Sequence, residues 1–152
     1  MWTRFAGNCY RLFGNGKTWD DAEAHCGEFF TRYGRGHLAS IHSADENSFV
    51  LQFLTTSIFI KSNGTHGYDH IWLGMNDKAV EGSFVWIDGS PFDYHQWGVD
   101  QPDNAYTGED CGEFRIGPTV PPPLNVPSWN DIPCTEACSY LCKMPTSSCT
   151  SP

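Results

Sequence analysis

The sequence predicts one α+β domain, two helices set among short strands. Three observations predict it. Capping signals stand ahead of two helically spaced apolar stretches. Short apolar runs are closed by glycine-rich turns. A long C-terminal segment holds turn residues and acids but little periodicity. A chain of 152 residues is one domain in size and long enough to bury a core.

In chain order, Cys9-Tyr10-Arg11-Leu12-Phe13 reads as a strand stopped at Gly14-Asn15-Gly16. Thr18-Trp19-Asp20-Asp21 sets an acid three residues after a hydroxyl cap and opens a helix. Trp19, Ala22, Cys26 and Phe29 share one face of it, and Gly34 and Gly36 end it. Leu38-Ala39-Ser40-Ile41 is a short buried strand. Ser43-Ala44-Asp45-Glu46 is a second capping box, with Phe49, Val50, Phe53 and Leu54 on the inner side. Residues 61–70 form a loop, 71–75 and 84–87 form strands, and 140–143 form the last strand. Residues 89–131 read as irregular. Loops above roughly 12–15 residues are uncommon in compact domains unless functional, so either this one is disordered or something other than a hydrogen-bond ladder orders it, as a bound metal with a disulfide would.

Charge is uneven. Residues 1–76 hold 6 bases and 7 acids, net −1; residues 77–152 hold 3 bases and 11 acids, net −8. No base lies between Lys78 and Arg115, whereas Glu81, Asp88, Asp93, Asp100, Asp103, Glu109, Asp110 and Glu113 are all acidic. The net charge of −9 argues against nucleic acid and anionic membrane surfaces. No apolar run approaches the roughly 18 residues of a membrane-spanning helix, so no membrane insertion is expected.

Seven cysteines without a C-x-x-C pair, together with the sequon Asn63-Gly64-Thr65, point to disulfides, glycosylation at Asn63 and secretion. Met1-Trp2-Thr3-Arg4 has no apolar signal core, so any leader is expected to have been removed. An odd cysteine count leaves at least one thiol free or intermolecular. A homo-oligomer is therefore expected, linked through Cys138 or Cys149.

Trp72-Leu73-Gly74, Trp86-Ile87-Asp88-Gly89, Gln101-Pro102-Asp103, Glu109-Asp110-Cys111 and Trp129-Asn130-Asp131 occur in order, followed by Cys134 and Cys142. In this the chain resembles C-type lectin domains over residues 2–144, and within them the galactose-type lectins of invertebrates. The resemblance implies a recognition domain at 1–144 and a tail at 145–152. It implies a double-loop fold in which two helices flank small antiparallel sheets and a long loop carries calcium. It also implies disulfides Cys26–Cys142 and Cys111–Cys134, each worth roughly 3–5 kcal/mol in the chain-entropy model. Because the first and last strands of that fold run side by side, Cys9 is expected within reach of Cys149.

The same resemblance implies a principal calcium site at Gln101, Asp103, Glu109, Asn130 and Asp131, with a cis Pro102. An auxiliary site is implied at Asp77, Glu81, Asn104 and Asp110, with the carbonyl of Glu109. All are oxygen donors, as Ca²⁺ requires. Sugar hydroxyls would donate to Asp103 and Glu109 and accept from the amides of Gln101 and Asn130. The amide-Pro-acid order is associated with galactose. Tyr106 is the candidate stacking ring, since Ala105 stands where several relatives have Trp. Trp97 matches a core tryptophan, and residues 118–128 are longer than usual and could wall the pocket. The six histidines are dispersed and read as structural or surface residues, with His95 nearest the sugar loop.

The function expected is calcium-dependent binding of galactose- or N-acetylgalactosamine-bearing glycans by a soluble, extracellular, multivalent lectin. The alternative is a protein-binding or structural relative without sugar binding. A glycosidase is disfavoured, because Asp103 and Glu109 as metal ligands would lack the raised pKa of a general acid.

Overall fold

The computed structural model describes residues 1–62, 69–105, 108–116 and 127–149. Asn63, Tyr106 and nearly all of the 118–128 segment fall outside them.

The chain opens with a hairpin, β1 (Thr3–Phe5) and β2 (Asn8–Lys17). Strand β2 runs through Gly14-Asn15-Gly16 rather than stopping there, because Lys17 still pairs with Cys138. Helix α1 (Trp19–Cys26) starts at Thr18, whose hydroxyl accepts from the Asp21 N–H. It is shorter than its apolar spacing predicts. Gly27 caps it, and the chain turns into a small hairpin, β3 (Phe30–Thr31) and β4 (Gly34–Arg35). The cause is a close approach: a Cβ on Gly36 would lie 2.5 Å from the Cys26 carbonyl oxygen, so glycine lets the chain fold back onto the helix end.

Strand β5 (His37–Leu38) leads to α2 (Ala44–Ser62). The cap forms at Ser43 as its sequence suggests, but the return bond from Glu46 reaches one residue further back, to His42. Glu46 N–H donates to Ser43 Oγ at 3.1 Å, and Glu46 Oε2 accepts from the His42 N–H at 2.7 Å. Val50 and Leu54 are fully buried. Strands β6 (Asp69–Asn76), β7 (Val85–Trp86), β8 (Cys111–Ile116), β9 (Ser128–Ile132) and β10 (Cys138–Pro145) complete the chain. Both β8 and β9 lie in or beside the stretch read as irregular. Their acids, Glu113 and Asp131, disguise strands that are buried along almost their whole length.

The main sheet runs β1-β2-β10-β6-β8-β9, with β10–β6 parallel and the other pairs on this path antiparallel. The first hairpin therefore forms one edge, and β8–β9, which border the long loop, form the other. One core cluster gathers Tyr10, Val50, Leu54, Ile71, Phe114 and Trp129; a second gathers Trp19, Cys26, Leu38, Trp72, Tyr140 and Cys142.

Three disulfides join Cys9 to Cys149, Cys26 to Cys142 and Cys111 to Cys134. They place the chain in an oxidising, extracellular compartment. Cys138 is the free cysteine, 6% exposed, and burial with the nearby Glu113 and Glu136 carboxylates pushes its thiol up to about 12. A covalent link through Cys138 or Cys149 is therefore corrected: one is engaged within the chain, and the other is buried and protonated.

A thiolate, not a thiol, is the reactive form. An aromatic disulfide reagent should detect no thiol in the folded protein and one after denaturation. Non-reducing electrophoresis should give the mass of a single chain.

Candidate functional site

The long loop is held to β9 by both backbone groups of one tryptophan. Trp129 N–H donates to the Gln96 carbonyl at 3.0 Å, and its own carbonyl accepts from the Gly98 N–H at 2.9 Å. The ring is fully buried; Trp86, Tyr94 and Trp97 meet it edge to face, and its Nε1–H donates to Asn47 Oδ1 on α2. Past this anchor the Gln101–Pro102 bond is cis, and Asp100 and Asn104 adopt left-handed φ of 61° and 45°. Among residues that carry a Cβ, Asn and Asp tolerate that region best.

The loop tip is then fastened to Asp131. This carboxylate is 1% exposed and accepts the N–H of Asp103 on Oδ1 at 3.1 Å and that of Asn104 on Oδ2 at 2.9 Å. Asn104 Oδ1 in turn accepts from the N–H groups of Gly108 and Glu109, both at 3.0 Å. Asp77 N–H donates to the Asp110 carbonyl, and Asp77 Oδ2 accepts from the Gly82 N–H at 2.8 Å.

Of the residues expected at the principal site, Asp103, Glu109 and Asp131 converge, each offering a carboxylate oxygen within 4.8 Å of the others. Gln101 Oε1 is buried and has no hydrogen-bond partner among the described residues. Asn130 turns its Nδ2–H to Glu113 Oε1 at 2.9 Å. Of the auxiliary set, Asp77, Glu81 and Asp110 converge in the same way, whereas Asn104 Oδ1 closes the loop.

Crowded carboxylates show in their titration. Burial, followed by repulsion from Asp131 and the hydrogen-bonded Asp103, pushes the Glu109 carboxyl up to about 7. Glu81 is also raised, by desolvation and by Asp77, Asp110 and Asp131.

Sequence reasoning missed two members. Glu113 is 0% exposed and bridges Asn130 to His70, whose Nδ1 lies 2.6 Å from Glu113 Oε2. That hydrogen bond raises the His70 pKa, with partial burial opposing it. The available signal was an acid inside a strand-length run, Cys111-Gly112-Glu113-Phe114-Arg115.

Comparison with known proteins matches the family described as Lectin C-type domain to residues 15–144. The chain belongs to the C-type lectin domain family. It is 47% identical to the alpha-N-acetylgalactosamine-specific lectin of Patiria pectinifera, over 96% of this chain and 79% of that protein. It superposes on the C-type lectin CEL-I from Cucumaria echinata with a TM-score of 0.76 and 32% identity, covering 93% of each chain. The family is a non-catalytic recognition module, and this chain is not an enzyme.

The expectation of calcium as cofactor, and of calcium-dependent function, is corrected. A calcium-independent type II antifreeze protein shares the fold with a TM-score of 0.70 and 26% identity, covering 95% of this chain and 91% of that one. The fold therefore does not bring a calcium requirement with it. The physical reason lies in the loop. The ordering assigned to an ion is performed by backbone N–H groups donating into Asp131, Asn104 and Asp77, and by the Cys111–Cys134 bridge.

Two outcomes follow. Asn104→Ala removes the acceptor for two amides, so the amides of Gly108 and Glu109 should exchange hydrogen about tenfold faster or more, read by mass spectrometry. For Glu109 the folded state keeps a proton that the unfolded chain loses between pH 4.5 and about 7, so stability falls as pH rises through that window. Water screens part of this repulsion. Glu109→Gln should gain ~1 kcal/mol on the parent, or about 2–4 °C in melting temperature, between about pH 5 and about pH 8 in buffer without divalent cations.

Proposed function

We propose that the chain is a lectin that binds glycans ending in N-acetylgalactosamine or galactose, at the loop edge formed by Gln101, Asp103, Glu109 and Asn130. The observation that carries this reading is the orphaned, buried Gln101 Oε1 beside converging carboxylates. A buried acceptor without a donor costs about 1–3 kcal/mol, and a ligand hydroxyl supplies that donor. Asp103 and Glu109 accept from further hydroxyls, while amide N–H groups of Gln101 and Asn130 donate. Tyr106, next to this edge in sequence, is the aromatic residue this reading assigns to the apolar face of the sugar. The N-acetylgalactosamine specificity for which the Patiria pectinifera relative is named supports the same sugar class.

The test is inhibition of binding to an N-acetylgalactosamine-bearing surface. N-acetylgalactosamine and galactose should inhibit at concentrations about tenfold lower than mannose. The double change Gln101→Glu with Asp103→Asn keeps size and reverses hydrogen-bond polarity, so it should shift preference toward mannose by about tenfold or more. Mannose inhibiting the unmodified chain as well as galactose does would overturn the reading.

A further inference from the structure

A second cavity, of about 560 Å³, shares no lining residue with either carboxylate group. It opens among Arg35 on β4, His37 on β5, Ser40, Asp88 and Ser90 from loops, and Lys143 on β10. Its volume lies within the range of small-molecule sites and suits a monosaccharide.

The floor is a closed polar network. Lys143 Nζ donates to Glu46 Oε1 at 2.6 Å and to the Ser40 carbonyl at 2.9 Å, so its charge is matched from within. Asp88 Oδ2 accepts from Ser40 Oγ, and Oδ1 accepts from the Ser90 N–H and hydroxyl. Three donors on a group with about four acceptor sites leave one for a ligand hydroxyl. His37 is aimed by α1. Glu23 Oε1 lies 2.7 Å from its Nδ1, while Glu23 Oε2 accepts from the Leu38 N–H at 2.8 Å. This fixes the ring and leaves Nε2 as its free nitrogen.

Arg35 is the exception on the wall. Among the described residues its guanidinium has no hydrogen bond and no ion pair. It lies over Gly27, where a Cβ would come within 2.0 Å of an Nη nitrogen, so the glycine makes room for the fork. A positioned, unpaired guanidinium beside a polar cavity matches a planar or tetrahedral oxyanion. Among the described residues, the aromatic rings that line the cavity are the imidazoles of His37 and His42.

We propose that this cavity is a second binding site, for an anionic saccharide whose carboxylate or sulfate oxygens pair with Arg35 and whose hydroxyls meet His37 Nε2 and Asp88. It does not depend on the loop site or on its galactose reading.

The experiment is calorimetric titration of the full chain with glucuronic acid, glucose 6-sulfate, glucose and inorganic sulfate. Glucose-series sugars keep the test apart from the loop edge. One or both charged sugars should bind, and which one names the oxyanion; glucose and inorganic sulfate should each bind at least fivefold more weakly. Arg35→Gln should weaken the charged sugar at least fivefold, with an unchanged melting temperature showing that the fold is intact. Arg32→Gln, on the same hairpin but outside the lining, and Asp103→Asn, on the loop, should each change it less than twofold. The proposal fails if neither charged sugar binds, if glucose or sulfate alone binds as well, if Arg35→Gln costs less than fivefold, or if either control variant matches it.

Discussion

The loop edge of the molecule depends on one buried indole. Trp129 carries the strand that presents Asn130 and Asp131, and its two backbone bonds hold the incoming limb of the loop at Gln96 and Gly98. Its ring N–H reaches Asn47 on α2, and its faces and edges are filled by Trp86, Tyr94 and Trp97. Helix, sheet edge and loop therefore share a single packing unit. Shrinking that ring would leave a cavity and free the loop's entry point in one step, at a cost of roughly 3–5 kcal/mol for an aromatic-to-alanine change.

Beyond that anchor the loop organises itself electrostatically. The long acid-rich segment carries no base, yet Asp131, Asn104 and Asp77 are surrounded by backbone N–H groups that act as the missing positive partners. The arrangement is incomplete at three points, one of them Asp77 Oδ1, which is buried without a donor among the described residues. Glu109 remains protonated to an unusually high pH, and Gln101 Oε1 is left without a donor among the described residues. A site that is ordered but not saturated is suited to taking up hydroxyl groups, because the ligand completes bonds instead of competing for them.

The parts of the fold legible in the sequence are those whose determinants lie close together. The Ser43–Glu46 box, the inner face at Val50 and Leu54, and the apolar strand at 71–75 could be read because each signal fits within a few residues. The hairpin that replaces the second half of α1 could not, since its cause is contact between Gly36 and the Cys26 carbonyl. Nor could β8 and β9. Glu113 and Asp131 look like loop acids until strand register brings Glu113 opposite Asn130 and Asp131 opposite Gly112. At the loop edge, residue types were readable, but their uses were not. Asn104 acts as a clamp for amides, and Glu113 aims Asn130; both depend on partners fixed by tertiary structure.

The Cys9–Cys149 bridge also has a mechanical meaning. It joins positions separated by 140 residues, close to both ends of the described chain. A force applied across those ends travels through the covalent crosslink instead of the hydrogen-bonded ladders. Only β1 and the few residues outside the bridge lie in the load path, while the other strands of the sheet, both helices and the loop edge are bypassed. A domain wired in this way can bear a load applied on either side of that bridge without distorting the loop edge.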